Sequence, residues 1–233
     1  MICHQRKIRE EQASLHPRDI SPLTGCYIDW ISKDVAKEII LQYEWLGTMG
    51  KAEYCVGLFS PQQEPLGVAC FGQANGTKSH HICGEEHSKQ AICLERGTCV
   101  HYAHEHAGSF LVANACKWIA KHTQYRIFFA YSDWEAGEIG TIYQACNWIY
   151  QGISPGRSQN YRMMIEDLET GEHFSTRTAR NRGLYMPQLR SDPRYVLRKH
   201  NDKGRYVWFE GTKKEKKYFR RKMKHPQQPY PKR

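Results

Sequence analysis

No stretch of the chain approaches the roughly 20 consecutive apolar residues that a membrane-spanning helix needs, so that class is set aside at once. The opening residues, Met1 to Glu10, are polar and lack the apolar core of a secretory signal. No Cys-x-x-Cys pair occurs, so a structural zinc site of common spacing is not expected. There is no Gly-x-Gly-x-x-Gly and no Walker lysine motif, which argues against the dinucleotide-binding and P-loop classes. No internal repeat is visible. What remains is a chain of 233 residues, 40% hydrophobic and 25% charged, enough for one good-sized domain with a buried core. Wholesale disorder is excluded on the same ground. The 9 cysteines are odd in number and scattered through predicted strands and helices. That usage suits a reducing compartment where thiols act as small apolar residues, and the expectation is a soluble, intracellular protein with no membrane partner.

Charge is present but unevenly placed. The net charge is +10. Residues 175–233 hold 19 Lys/Arg against 4 Asp/Glu, a balance of +15, which leaves −5 on residues 1–174. The densest run is Lys213-Lys214-Glu215-Lys216-Lys217-Tyr218-Phe219-Arg220-Arg221-Lys222-Met223-Lys224. Cations interleaved with aromatics neutralise phosphates while the rings pack or stack, so Lys213, Lys214, Lys216, Lys217, Arg220 and Arg221 are candidate nucleic-acid contacts. The competing readings are a solvated tail and a polybasic membrane anchor. The run lacks a broad apolar helical face, and no lipidation motif accompanies it.

Periodicity supplies the elements. Cys26 to Trp30 alternates as a short strand. Ser32 is a plausible N-cap for a helix carrying Val35, Ile39 and Tyr43 and ending at Gly47. Tyr54–Phe59 and Leu66–Phe71 flank a turn at 60–65 as a hairpin. Residues 72–89 read as a polar loop and Ala91–Val100 as a strand. A helix opens at Gly108 and Ser109, with Leu111, Ala115, Trp118 and Ile119 on one face. Then come a strand at Arg126–Tyr131, a short helix at Gly140–Cys146, a strand at Trp148–Ile153, a second hairpin of Tyr161–Ile165 and His173–Thr178, and a last strand at Arg205–Phe209. The order predicts an α/β (α+β) protein, a mixed central sheet with flanking helices and a basic C-terminal extension. The expected divisions are an N-terminal extension at 1–22, a core at 23–174 and a basic nucleic-acid-binding region at 175–233.

From Tyr43 to Ile153 the chain resembles the GNAT-type acyltransferases, in which a central strand, a loop and a helix start hold the donor's pyrophosphate and the next strand splays away. The corresponding residues here are Ile92 to Val100, His106-Ala107-Gly108-Ser109 and Ile127 to Asp133. Leu46-Gly47, Val56 to Pro61, Leu66 to Gly72, the run Gly140-Thr141-Ile142-Tyr143-Gln144-Ala145-Cys146-Asn147-Trp148-Ile149-Tyr150-Gln151-Gly152 and the ending Pro229 to Lys232 are similar to the Mom DNA-modification proteins of Mu-like phages. The resemblance implies a transferase that places a carbamoylmethyl group on adenine N6 in double-stranded DNA, in the cytoplasm of a bacterial host, and so protects phage DNA from restriction enzymes. The alternatives are an N-acyltransferase acting on RNA or a small amine, and a non-catalytic DNA-binding protein on a GNAT scaffold.

Within that frame Asp133, just past a strand end, is a candidate to accept an N6 proton or orient the base; otherwise it caps or pairs. Tyr143 is a candidate acid for the leaving group, or a packed aromatic. Glu44 adds a carboxylate near the cleft. Arg96, Thr98, Val100, Gly108, Ser109 and Asn147 are candidates for holding the donor; a helix start binds anions through unpaired N–H groups. Arg96 has the alternative of an acidic partner, and Ser109 that of a cap. Tyr43, Trp45 and Trp134 are candidate stacking residues for an extruded base, or core aromatics. The loop Glu105-His106-Ala107-Gly108-Ser109-Phe110 departs from the usual [Q/R]-x-x-G-x-[G/A], with an acid at its first position. The donor is therefore left between acetyl-CoA or another acyl-CoA and a glycyl carrier such as glycyl-tRNA, because acetyl transfer gives an amide whereas a glycyl unit holds the atoms of carbamoylmethyl. The basic region then serves DNA, tRNA or both. His80, His81, Cys83, His87 and Cys93 fit no common metal spacing and are set, as iron or zinc ligands, against solvated loop histidines. His101, His104 and His106 flank the donor loop.

Overall fold

A meander of four antiparallel strands builds one half of the central sheet in the computed structural model, which describes residues 3–73, 79–154, 163–199 and 203–232. These strands are β1 (Tyr27–Trp30), β2 (Tyr54–Phe59), β3 (Pro65–Gly72) and β4 (Ala91–Cys99). β5 (Ile127–Asp133) pairs parallel to β4. β6 (Ile149–Ser154) does not follow it directly. β10 (Lys203–Phe209), the last strand of the chain, inserts between them, antiparallel to both, for a seven-strand order of β1-β2-β3-β4-β5-β10-β6.

Period-two alternation sends two apolar sets to opposite faces. Val56, Leu58, Ala69, Phe71, Ile92, Phe128 and Tyr206 pack on α4 (Ala107–His122) through Leu111, Val112, Ala115, Cys116 and Ile119. The other face has two covers. α2 (Lys33–Tyr43) lays Ala36, Ile39 and Ile40 on Cys55, Val68 and Cys70. α8 (Lys213–Lys222) and α3 (His80–Cys83) lay Phe219, Ile82 and Cys83 on Ile127, Phe129, Val207 and Phe209. Each such large side chain contributes about 1.5–3 kcal/mol by leaving water.

Several expectations change. Ser32 caps α2 by accepting from Val35 N–H (3.3 Å), but the helix stops at Tyr43 rather than Gly47. Glu44 turns extended, and its backbone carbonyl accepts from Gly47 N–H (3.0 Å). Val35 faces solvent because the buried stripe runs through Ala36 and Ile40. The described part of 72–89 is not only a loop: α3 and a 3-10 turn at Glu85–Gln90 form there, since Ile82 and Cys83 complete the core under α8. The second hairpin is β7 (Met163–Asp167) and β8 (His173–Ser175), with Tyr161 outside the described residues. It stands apart from the main sheet. With β9 (Tyr195–Lys199) it makes a three-stranded sheet of order β8-β7-β9, against which α6 (Thr176–Asn181) and α7 (Met186–Ser191) pack Ala179 and Leu189 onto Ile165 and Phe174.

The boundary at 174/175 therefore does not follow the sheets. Residues 163–174 belong to the small sheet, and the basic quarter supplies β10 to the large one, between β5 and the edge strand β6. The basic run is not a loose tail either. Thr212 and Glu215 close a capping box at its start, and Phe219 is buried and stacked on Phe209 with ring centroids 5.9 Å apart. Its Lys213, Lys214, Lys217, Arg220 and Arg221 are exposed, whereas Lys216 pairs with Glu210 at 2.9 Å. Residues 4–15 form α1 (His4–Leu15), which packs beside α2 and bonds through Gln5 and Arg9 to Tyr43, Thr98, His101 and Ala103.

Candidate active site

The parallel ladder between β4 and β5 holds only from Ala91–Cys93 against Ile127–Phe129. Just beyond it the β3–β4 register shifts between Cys70 and Phe71, leaving Glu95 as an extra residue in β4. A bulge of this kind bends the strand that carries it, here at the point where pairing to β5 ceases. The result is a cleft of about 560 Å³ with Leu94 to Cys99 on one bank and Tyr131, Ser132 and Asp133 on the other. That volume lies in the usual range for small-molecule sites.

The start of α4 opens into this cleft through Glu105, His106, Gly108 and Ser109. Its N-cap, His106, offers no side-chain hydrogen bond, and Ser109 Oγ donates to His106 O (3.0 Å) instead of capping. Ala107 N–H is taken by His104 O (2.9 Å), while Gly108 and Ser109, next in the first turn of this 16-residue helix, line the cleft at the end where a helix carries partial positive charge. This suits a pyrophosphate such as that of an acyl-CoA, held by backbone at Gly108 and Ser109. Glu105 does not oppose it from a buried position: 78% of its side chain is exposed, 3.7 Å from His106 Nε2.

The opposite bank is ionisable. Lys203 Nζ lies 2.6 Å from Asp133 Oδ2, across directly paired positions of β10 and β5. Glu138 lines the same bank. Burial, then the Glu44 and Asp133 carboxylates, push its pKa up to about 7, with Lys203 and the Trp45 indole pulling the other way. Burial also raises Glu44, against the Arg96 guanidinium and the N–H groups of Leu46 and Gly47, and Glu44 Oε2 is buried without a hydrogen-bond partner. Tyr143 projects from α5 (Thr141–Ala145) between the rings of Trp148 and Tyr206, each at 5.1 Å, and burial raises its phenol well above the usual range. Gly140 permits this placement: its φ is +77°, and a Cβ there would run into the Tyr206 ring.

α1 ties the mouth together. Gln5 Nε2 donates to Tyr43 O (2.6 Å) and Thr98 Oγ1 (3.1 Å), and Gln5 Oε1 accepts from Trp45 N–H (3.2 Å). Arg9 donates to Ala103 O (2.6 Å) and His101 O (3.2 Å), while His4 N–H reaches Ala136 O (2.9 Å) on the other side.

Of the residues singled out from sequence, the fold gathers Asp133, Tyr143, Glu44, Arg96, Thr98, Gly108, Ser109 and Trp45 around one cleft. Arg96 is bound to the 48 loop, its Nε to Thr48 O (2.7 Å), and Thr98 Oγ1 donates to Tyr43 O (2.9 Å). Four others fall outside the lining. Val100 is a core residue whose N–H is spent on Leu66 O (3.0 Å). Asn147 is a turn residue at φ +57° closing α5. Tyr43 packs on His101, at 5.9 Å. Trp134 is held by Ser132 Oγ (3.2 Å). Glu138, Lys203, Gln5 and Arg9 carry no motif, because the residues they meet lie far from them in sequence. Among the described residues no three His, Cys, Asp or Glu side chains converge as metal ligands. His87 meets Tyr218 Oη (3.2 Å), and Cys83 Sγ meets Phe219 O (3.7 Å). Among the described residues, no helix is long and apolar enough to cross a membrane.

A mixed sheet whose parallel pair parts around a helix start defines this as a GNAT-type fold. Solved structures similar to it include a spermidine N-acetyltransferase from Vibrio cholerae (8% identity, 80% of this chain and 94% of that one, TM-score 0.45). A ribosomal-protein-S5-alanine acetyltransferase from Vibrio fischeri is similar too (8%, 81% and 95%, 0.44), as is a Bacillus subtilis acetyltransferase in complex with CoA (11%, 79% and 97%, 0.41). No curated protein sequence matches the chain. The family model of the Mom protein family matches residues 25–232, and the chain belongs to that family.

Proposed function

We propose that the chain is a transferase that modifies the exocyclic N6 amine of adenine in DNA, with carbamoylmethyladenine as the product, and that it acts in a bacterial cytoplasm to protect phage DNA from restriction. The observation that carries this reading is a single cleft with an uncapped helix start on one bank and the Asp133, Lys203 and Glu138 cluster on the other. One bank suits the anion of an activated donor and the other suits an amine that must lose a proton. Exposed cations on α8 supply the contact to duplex phosphates.

In that cleft Glu138, whose carboxyl is poised near neutrality, accepts a proton from N6 as the amine bonds to the donor's acyl carbon and the thiolate or alkoxide leaves, giving an N6-acyl amide. From a glycyl group that amide is an isomer of the carbamoylmethyl amine and reaches it when N6 passes from the carbonyl carbon to the methylene carbon and the glycyl nitrogen passes the other way. Tyr143, kept protonated by burial, donates its proton to the departing thiolate or alkoxide. Asp133, oriented by Lys203, receives a hydrogen bond from the amine. An acyl-CoA held at Gly108 and Ser109 would supply a thioester. Trp45, beside the acidic bank, offers a surface for the extruded purine.

A glycyl donor, such as the ester of glycyl-tRNA, is favoured by one feature: the carboxylates of Glu44, Asp133 and Glu138 complement an ammonium group. Glycyl transfer to N6 gives an amide isomeric with the carbamoylmethyl amine, so fragmentation rather than mass separates them.

Mass spectrometry of nucleosides from cells expressing the chain tests the reading. A mass-shifted deoxyadenosine is the expected result, and label from glycine or from acetate identifies the donor. A shift confined to RNA would assign an RNA acyltransferase. No shift, with DNA binding intact, would assign a DNA-binding protein without catalysis.

A further inference from the structure

α1 lies on the rest of the protein without burying a side chain of its own. What holds it is polar. The Gln5 amide bonds to Tyr43, Thr98 and Trp45, and Arg9 reaches the segment that joins β4 to α4. A helix docked in this way gains little by leaving water, so its placement calls for a reason other than packing. The contacts converge on the cleft, which Gln5 and Arg9 help to line.

Arg9 brings a charge with it. Its Nε donates to His101 O (3.2 Å) and its Nη2 to Ala103 O (2.6 Å), just ahead of Ala107, where α4 begins. Both acceptors are neutral carbonyls. They fix the Nε–Nη2 edge of the guanidinium, and among the described residues Nη1 makes no hydrogen bond. The side chain is half-buried and lines the cleft together with Gly108 and Ser109, so its remaining donors border the open volume. The other cationic side chains along that lining are engaged differently. Lys203 pairs with Asp133 at 2.6 Å, His106 Nε2 lies 3.7 Å from Glu105 Oε1, and Arg96 is bonded to Thr48 while its charge acts on Glu44. Among the described residues Arg9 forms no ion pair. A guanidinium positioned by neutral groups keeps its full charge for a ligand.

We propose that Arg9 binds a phosphate group of the activated donor, gripping it from α1 while Gly108 and Ser109 take it from the start of α4. The helix start offers backbone donors and a partial charge, and Arg9 adds a whole charge with a planar set of donors. The phosphate is that of a coenzyme A diphosphate or of the 3′ end of an aminoacylated RNA. A phosphate held in this way joins α1 to α4, so donor binding also fastens α1 over the cleft. The proposal rests on the donor half of the function proposed above and not on adenine as the acceptor.

The test titrates the full chain, by calorimetry, with coenzyme A, with pantetheine, which lacks the phosphates, and with the RNA trinucleotide CCA. Arg9→Gln removes the charge and keeps a donor for the carbonyls. It is expected to weaken coenzyme A or the trinucleotide, whichever the wild type binds, by about tenfold or more, and to leave pantetheine as it was. Gln5→Ala loosens α1 at its other anchor without touching the cation, and should shift the same affinity by no more than about twofold. Hydrogen exchange at the α1 amides should slow when the ligand is added to wild type and not when it is added to Arg9→Gln. Equal weakening of coenzyme A and pantetheine by Arg9→Gln, or an equal loss in Gln5→Ala, would make Arg9 a support for α1 and overturn the site. Unchanged affinity in Arg9→Gln, or a wild type that binds neither phosphate ligand, would overturn it too. The ligand that responds to Arg9 assigns the donor. Arg9-dependent binding without modified deoxyadenosine in cells would count against the proposed acceptor alone.

Discussion

Asp133 and Lys203 face each other across β5 and β10 at 2.6 Å, so the carboxylate at the mouth of the cleft is oriented by a residue 70 positions away in sequence. Asp133→Asn keeps the size and removes the charge. It should lower DNA modification at least 100-fold while DNA affinity stays within about twofold, measured by nucleoside mass spectrometry and fluorescence anisotropy. Lys203→Met should cost about 1–2 kcal/mol of stability, since the lysine side chain is 38% exposed and part of the interaction is screened. Unimpaired modification by Asp133→Asn would remove this residue from the chemistry.

Glu138 makes stability depend on pH in a defined direction. Its folded pKa of about 7 lies above its ordinary value of 4.5, so the folded state holds the proton more tightly. Stability is therefore full below the ordinary value, declines as pH rises to about 7, and stays low above it. The penalty is on the order of 3 kcal/mol. Glu138→Gln should melt several degrees higher than wild type at pH 8 and alongside it near pH 4. A variant that melts lower at pH 8 would mean that the ionised carboxylate is stabilising.

The same residue should set the rising limb of the transfer rate. Modification by wild type should increase through pH 7 as Glu138 loses its proton, and Glu138→Gln should flatten that limb along with a large loss of rate. An unaltered limb in the variant would give the base role to another group.

Tyr143→Phe removes the phenol but keeps the ring between Trp148 and Tyr206. Modification should fall at least tenfold with thermal stability within about 1 kcal/mol of wild type. Full activity in the phenylalanine variant would reduce Tyr143 to a packing residue.

On α8, charge and fold separate cleanly. Replacing Lys213, Lys214, Lys217, Arg220 and Arg221 by Gln should weaken DNA binding and flatten its salt dependence by about 3–4 in the log–log slope, with little change in melting. Phe219→Ala should instead cost about 3–5 kcal/mol, because its ring is buried against Phe209. For the same reason removal of everything after Gly211 tests folding rather than the nucleic-acid contact. A salt slope that stays steep in the glutamine variant would place the contact elsewhere.

Much of the local structure was legible in the chain. Ser32 announced its helix, residues 60–65 their turn, and the alternation of β2 and β3 their hairpin, because each depends on neighbours within a few residues. That Asp133, Tyr143 and Ser109 come to one cleft was legible through a resemblance whose motifs lie at strand and helix ends. Glu138 and Lys203 carried no such signal, and Val100 and Asn147 carried a false one, since neither a side chain's facing nor its partners are local properties.

Composition and periodicity by themselves determined a mixed α/β chain with its positive charge gathered at one end. They determined this because helix, strand and turn preferences and net charge are sums over nearby residues. Only the tertiary structure decided that the basic quarter donates the strand between β5 and β6, that Phe219 anchors its helix, and that Lys203 meets Asp133. Those outcomes depend on burying apolar faces that lie far apart along the chain, and no local preference carries that information.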